Sequence, residues 1–172
     1  KFVGIINHKI NLYKYVPLRG EGYILLPKDF DNNNKGLCNI KNADEKCFMW
    51  CHIAFLYPVK KNKNRLSNYI NHEKDVNYTG IKFPVTLNQI DKIEKLNKIK
   101  FNIFTLNKNK VLPYYISDSD YKKTCKMLLL KEVDKDDNIS KSHYVLITDF
   151  SKLMYSKTNG HRRLYYCTRC LQ

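Results

Sequence analysis

The stretch Asn42-Ala43-Asp44-Glu45-Lys46-Cys47-Phe48-Met49-Trp50-Cys51-His52-Ile53-Ala54-Phe55-Leu56-Tyr57-Pro58 decides the fold. A polar run holding Asn and Asp passes straight into about eleven residues that are apolar on nearly every side, and Pro58 stops them. This pattern predicts a helix with Cys47 in its first turn. A helix hydrophobic all round belongs at the centre of a domain. Free backbone N–H groups and the positive end of the helix dipole lower the pKa of a thiol placed there, so Cys47 sits where a thiol nucleophile works well. The alternative is a packing cysteine, since free Cys is among the most buried residue types. A nucleophile needs a histidine from elsewhere in the chain.

With 172 residues the chain suits a single domain able to bury its own core. It starts at Lys1 and stops at Gln172 just after a cysteine pair, so both ends are expected to be cut from something larger. A net charge of +15 and a pI near 9.5 point to an anionic partner, nucleic acid first. Against this, the joint richness in Lys, Asn, Ile and Tyr is what an AT-rich genome favours, and the lysines are scattered. Only Lys60 to Arg65 and Lys157 to Arg163 approach a patch. A solvated face is the first reading, and nucleic acid held through a basic surface the second. Six cysteines, no secretory segment and no apolar run of about eighteen residues predict a soluble protein in a reducing intracellular compartment, cytoplasmic or nuclear, with no membrane contact. A monomer is expected.

Residues 1 to 27 alternate apolar and polar around Gly20 and Gly22, predicting two short strands or a hairpin. Asp31 to Gly36 reads as a turn. After Pro58 come a basic loop and a short helix around Arg65 to Ile70. Thr86 and Gln89 form a capping box opening a helix with Leu87, Ile90, Ile93 and Leu96 on one face and Lys92, Glu94 and Lys95 pointing away. The apolar runs Ile99 to Leu106, Val111 to Ile116, Lys126 to Lys131 and His143 to Thr148, divided by polar turns, predict an antiparallel meander. A short helix over Phe150 to Ser156 and a last strand over Arg162 to Cys167 complete the expectation. The fold class is α+β, with a central buried helix carrying the Cys packed on an antiparallel sheet.

His143 opens the run His143-Tyr144-Val145-Leu146-Ile147-Thr148. A histidine at the first residue of a strand, at the rim of a sheet packed on the core helix, can reach a thiol at that helix's N-terminus. A partly exposed loop histidine is the alternative. His8, His52, His72 and His161 have weaker claims, because none combines a strand edge with an adjoining core run.

This order of Cys at a helix start, sheet, then His at a strand start resembles the papain-like cysteine peptidases, and within them the ovarian-tumour-type deubiquitinases. The shared motifs are Asp44 three residues before Cys47, Phe48 just after it, and His143 followed by Tyr144 and Val145. Over most of its length the chain also resembles the region ahead of the protein-primed DNA polymerase in Maverick/Polinton-type mobile elements. There the matching pieces are Lys46 to Trp50, Gly80 to Val85, His143 to Met154 and Tyr166 to Gln172. The resemblance implies a papain-like domain over residues 1–172 and a transposon-derived hydrolase of the deubiquitinase kind, with Cys47 and His143 catalytic. The family's third member usually stands two positions after the His, and Val145 stands there. Asp149 is the nearest downstream carboxylate and Asn159 a second candidate. Asn42, Asp44 and the Cys47 amide are in reach of an oxyanion.

Cys167 and Cys170 make one half of a zinc pattern and the start of a truncated module over residues 161–172. With the other half missing, no bound metal and no cofactor are expected. Two functions stand: a cysteine protease acting on ubiquitin or a ubiquitin-like modifier, or a non-catalytic DNA-binding module of a mobile-element protein.

Overall fold

The computed structural model describes residues 23–31, 35–133, 139–155, 166–167 and 171. Helix α1 spans Cys47–Leu56, and its residues Cys47 to Ala54 are all buried. No side chain caps its start and no acidic residue stands in its first turn, so burial rather than local capping holds it. Two 3-10 turns, Leu66–Asn68 and Ile70–Asp75, stand where a short helix was expected.

Helix α2 covers Leu87–Asn97, and the Gln89 side chain accepts the Thr86 amide at 3.0 Å, as the capping box requires. Ile90 and Ile93 face the core as expected, but Glu94 does not point away. It is buried because its carboxylate closes the α2 to sheet connection, taking the Phe101 amide at 2.6 Å and the Ser117 hydroxyl at 2.8 Å. A hydrogen-bonded carboxylate tolerates burial that an unpaired one does not.

Among the described residues five strands make one sheet: β1 Leu37–Cys38, β2 Lys100–Asn107, β3 Lys110–Ile116, β4 Thr124–Val133 and β5 Ile139–Ile147, in the order β1-β5-β4-β2-β3. The antiparallel meander is corrected in one place. β4 lies parallel to β2, with Ile103 opposite Met127, while the other pairings are antiparallel. Turn spacing does not say on which side of β2 the chain returns, but burial does. β3 carries Pro113 and exposes Leu112 and Tyr114, which suits an edge. β4 is buried on both faces from Met127 to Leu130 and needs neighbours on both sides.

The faces alternate as strand geometry demands. Tyr144 and Leu146 of β5 join Phe48, Phe101 and Met127 in the core under α1. Val145 and Ile147 join Phe104, Leu128, Leu130 and Phe150 in a second core on the other face. Helix α3, Phe150–Met154, closes that second core. The expected strands before Tyr23 and over Arg162 to Cys167 lie largely outside the described residues, and Tyr23 to Pro27 runs as irregular chain. Among the described residues no helix is long and apolar enough to cross a membrane.

Candidate functional site

Cys47 stands at the first position of α1 and is 5% exposed. Among the described residues β1 pairs with Leu146 and Ile147 of β5, so the Tyr144 peptide lies beyond its end. There two thiols from α1 meet the main chain. The Tyr144 amide reaches the Cys47 sulfur, and Cys51 Sγ donates to the Tyr144 carbonyl at 3.2 Å. Burial pushes the Cys47 thiol up to about 11; the amides of Tyr144, Phe48 and Cys47 oppose it, and the Asp44 carboxylate adds to it. The thiolate expected from the helix dipole is therefore not the resting state, because desolvation outweighs the dipole.

His143 is also buried, at 1% exposure, and it lies inside β5 opposite Leu130 rather than at the strand's first residue. The strand begins earlier because Ile139 pairs with Val133 across the β4–β5 connection. His143 shares a face with Val145, the face of the α3 core. Its Nε2 lies 2.8 Å from Asn39 Oδ1, and Asn39 Nδ2 donates to the Ile24 carbonyl at 2.9 Å. The Tyr23 ring meets the imidazole edge-on at 5.7 Å. Burial takes His143 down to about 4. No hydrogen bond joins Cys47 and His143 among the described residues, and with pKa values of about 11 and 4 both are neutral at pH 7. What unites them is the main chain: the amide that reaches the thiol belongs to the residue after His143.

Asp149 lies at the other end of β5 and accepts the Lys152 amide at 3.1 Å as the N-cap of α3. Asn159, His161 and Cys170 lie outside the described residues. Asn42 Nδ2 donates to the Asp44 carbonyl at 2.7 Å and to its Oδ1 at 2.8 Å, while Asn42 Oδ1 is buried without a partner among the described residues. Asp44 Oδ1 also takes the Lys46 amide and the Trp50 indole N–H, each at 3.0 Å. The loop before Cys47 is thus a bracket around one carboxylate. The Asn42 amide hydrogens are engaged there, which leaves the backbone amides of Tyr144, Phe48 and Cys47 as the donors at the thiol.

Two other histidines have evident structural partners. His52 Nδ1 meets the Tyr78 hydroxyl at 3.1 Å, and His72 pairs with Asp75 at 2.9 Å while stacking on Tyr57. No group of three or more His, Cys, Asp or Glu side chains able to hold a metal occurs among the described residues. Asn39 is the residue that sequence reading missed. Its signal was a lone amide inside the apolar run Leu37-Cys38-Asn39-Ile40, where a buried polar group needs a partner. Compared with known proteins, the chain matches no family model, no curated relative and no solved structure.

Proposed function

We propose that the chain is a thiol-dependent hydrolase of papain-like type that cleaves ubiquitin or ubiquitin-like conjugates. The observation that carries this reading is Cys47 at the start of a buried helix, with its sulfur against the amide of the residue that follows His143. The motif Asp44, Cys47, Phe48 and the pair His143-Tyr144 support it through their resemblance to ovarian-tumour-type enzymes.

In this mechanism His143 takes the thiol proton as Cys47 attacks the carbonyl at the modifier's C-terminus. The oxyanion is met by backbone amides at the start of α1. The imidazolium then returns its proton to the leaving amine, and water activated by the same imidazole hydrolyses the thioester. Thiol and imidazole both rest neutral, so the proton leaves the sulfur as the carbonyl is attacked rather than before it. The test is ubiquitin, and a panel of ubiquitin-like proteins, carrying a C-terminal propargylamide. A covalent adduct lost in Cys47→Ala is expected. No adduct with any modifier, or one that survives the substitution, sinks the reading.

A second reading is a non-catalytic module that holds DNA through its basic surface. The burial of Cys47 favours it, as does a cavity of about 380 Å³ at the far end of α1, lined in part by Lys98, Lys122 and Lys123. Titration with duplex DNA separates the two: affinity falling steeply with salt supports the module, and weak affinity flat with salt removes it.

A further inference from the structure

We propose that Asn39 is the positioning residue for His143, holding the imidazole as its Nε2–H tautomer so that Nδ1 is the proton-accepting nitrogen. This rests on the hydrolase reading only in giving that nitrogen a task. The assignment itself comes from the hydrogen-bond chain. Asn39 Nδ2 donates to the Ile24 carbonyl at 2.9 Å, which fixes the amide's orientation and turns Oδ1 toward His143. An amide oxygen only accepts, so the nitrogen 2.8 Å from it carries the proton. In a neutral imidazole the other nitrogen is then bare.

The surroundings make this arrangement rigid. Asn39 is 5% exposed and follows β1 directly, so its backbone is anchored by the sheet. The Tyr23 ring closes one side of the imidazole, and Leu130 lies opposite it on β4. Two charged groups stand at Tyr23: Lys41 lies over its face at 5.8 Å, and Asp31, after burial, helps to raise its phenol pKa. Turning the amide over would set an N–H against an N–H and a carbonyl against a carbonyl, leaving two buried partners unpaired. Of the positions suggested along the chain, Val145 has no polar side-chain atom, Asp149 caps α3, and Asn159 lies outside the described residues.

The experiment reads the tautomer directly. Long-range proton–nitrogen correlation spectra of the nitrogen-15-labelled chain at pH 7, with the His143 ring assigned by loss in His143→Gln, are expected to show Nε2 protonated and Nδ1 bare. Asn39→Ala should give a mixture of tautomers. Asn39→Asp keeps an acceptor in place, so it should retain Nε2–H and raise the His143 titration midpoint, a change a packing role would not produce. If Asn39→Ala does not fold, Asn39→Asp carries the test alone. A wild-type ring protonated on Nδ1, or a His143 midpoint unmoved in Asn39→Asp, overturns the proposal. Labelling by ubiquitin propargylamide separates the two levels. Wild-type labelling slowed at least tenfold in Asn39→Ala and recovered in Asn39→Asp supports both. No labelling of the wild type, with the tautomer as expected, removes the hydrolase and keeps the Asn39 assignment.

Discussion

Gly36 lies so close against Asp149 that a β-carbon on it would stand 2.5 Å from the Asp149 carbonyl oxygen. Its φ of +63° is also one that other residues adopt only under strain. The Gly36 carbonyl takes the Thr148 amide at 2.8 Å, which fastens the start of β1 to the end of β5. Gly36→Ala is therefore expected to lower stability by about 2 kcal/mol or more, clash and backbone strain acting together. Denaturant unfolding checks this.

Asp149 should behave as a structural residue. Asp149→Ala removes the cap of α3 and is expected to cost about 1 kcal/mol. Probe labelling at Cys47 should remain within a factor of about two of wild type, given the roughly 20 Å of extended strand between Asp149 and His143. A loss of labelling in a variant still folded by circular dichroism would return Asp149 to the site.

The Cys47 thiol should alkylate slowly. With a pKa near 11, the thiolate fraction at pH 8 is on the order of one in a thousand, and the rate should rise about tenfold per pH unit. Iodoacetamide modification followed by peptide mass spectrometry measures it. Below pH 9 the folded chain should react more slowly at Cys47 than the chain unfolded in urea, whose thiol sits near 8.5. A rate already level near pH 6 would mean a resting thiolate.

His52 and His143 are both brought down to about 4 by burial. The unfolded chain binds their protons as pH falls below about 6.5, while the folded chain does not until about 4, so stability falls across that window. Each contributes up to about 3 kcal/mol of that loss, on the order of magnitude the shift implies. Unfolding free energies at pH 7 and pH 5 should differ less in His52→Asn than in the wild type. An unchanged slope would place the acid sensitivity elsewhere.

Glu94 ties α2 to the sheet through the Phe101 amide and Ser117. Glu94→Ala leaves a buried amide without its acceptor and is expected to cost about 2 to 3 kcal/mol. Glu94→Gln keeps an acceptor and should cost less. Equal losses in the two would show that charge rather than hydrogen bonding holds this joint.

The sequence by itself determined the elements whose signal is local. A run apolar on every side up to Pro58 makes α1, Thr86 with Gln89 starts α2, and alternating apolar runs make the longer strands. Such patterns depend on neighbours a few positions away, so they survive without knowledge of the fold. Tertiary structure decided what depends on distant partners. β4 pairs parallel with β2 because its apolar residues need an interior place. Glu94 turns inward because the Phe101 amide awaits it. Position along the chain singled out Cys47 and His143 as candidates, but their neutral resting state follows from how deeply the fold buries them. The partner of His143 comes from Asn39, which lies 104 positions earlier in the chain. A hydrogen bond across that separation leaves no periodicity or spacing to read, and only the sheet brings its two ends together.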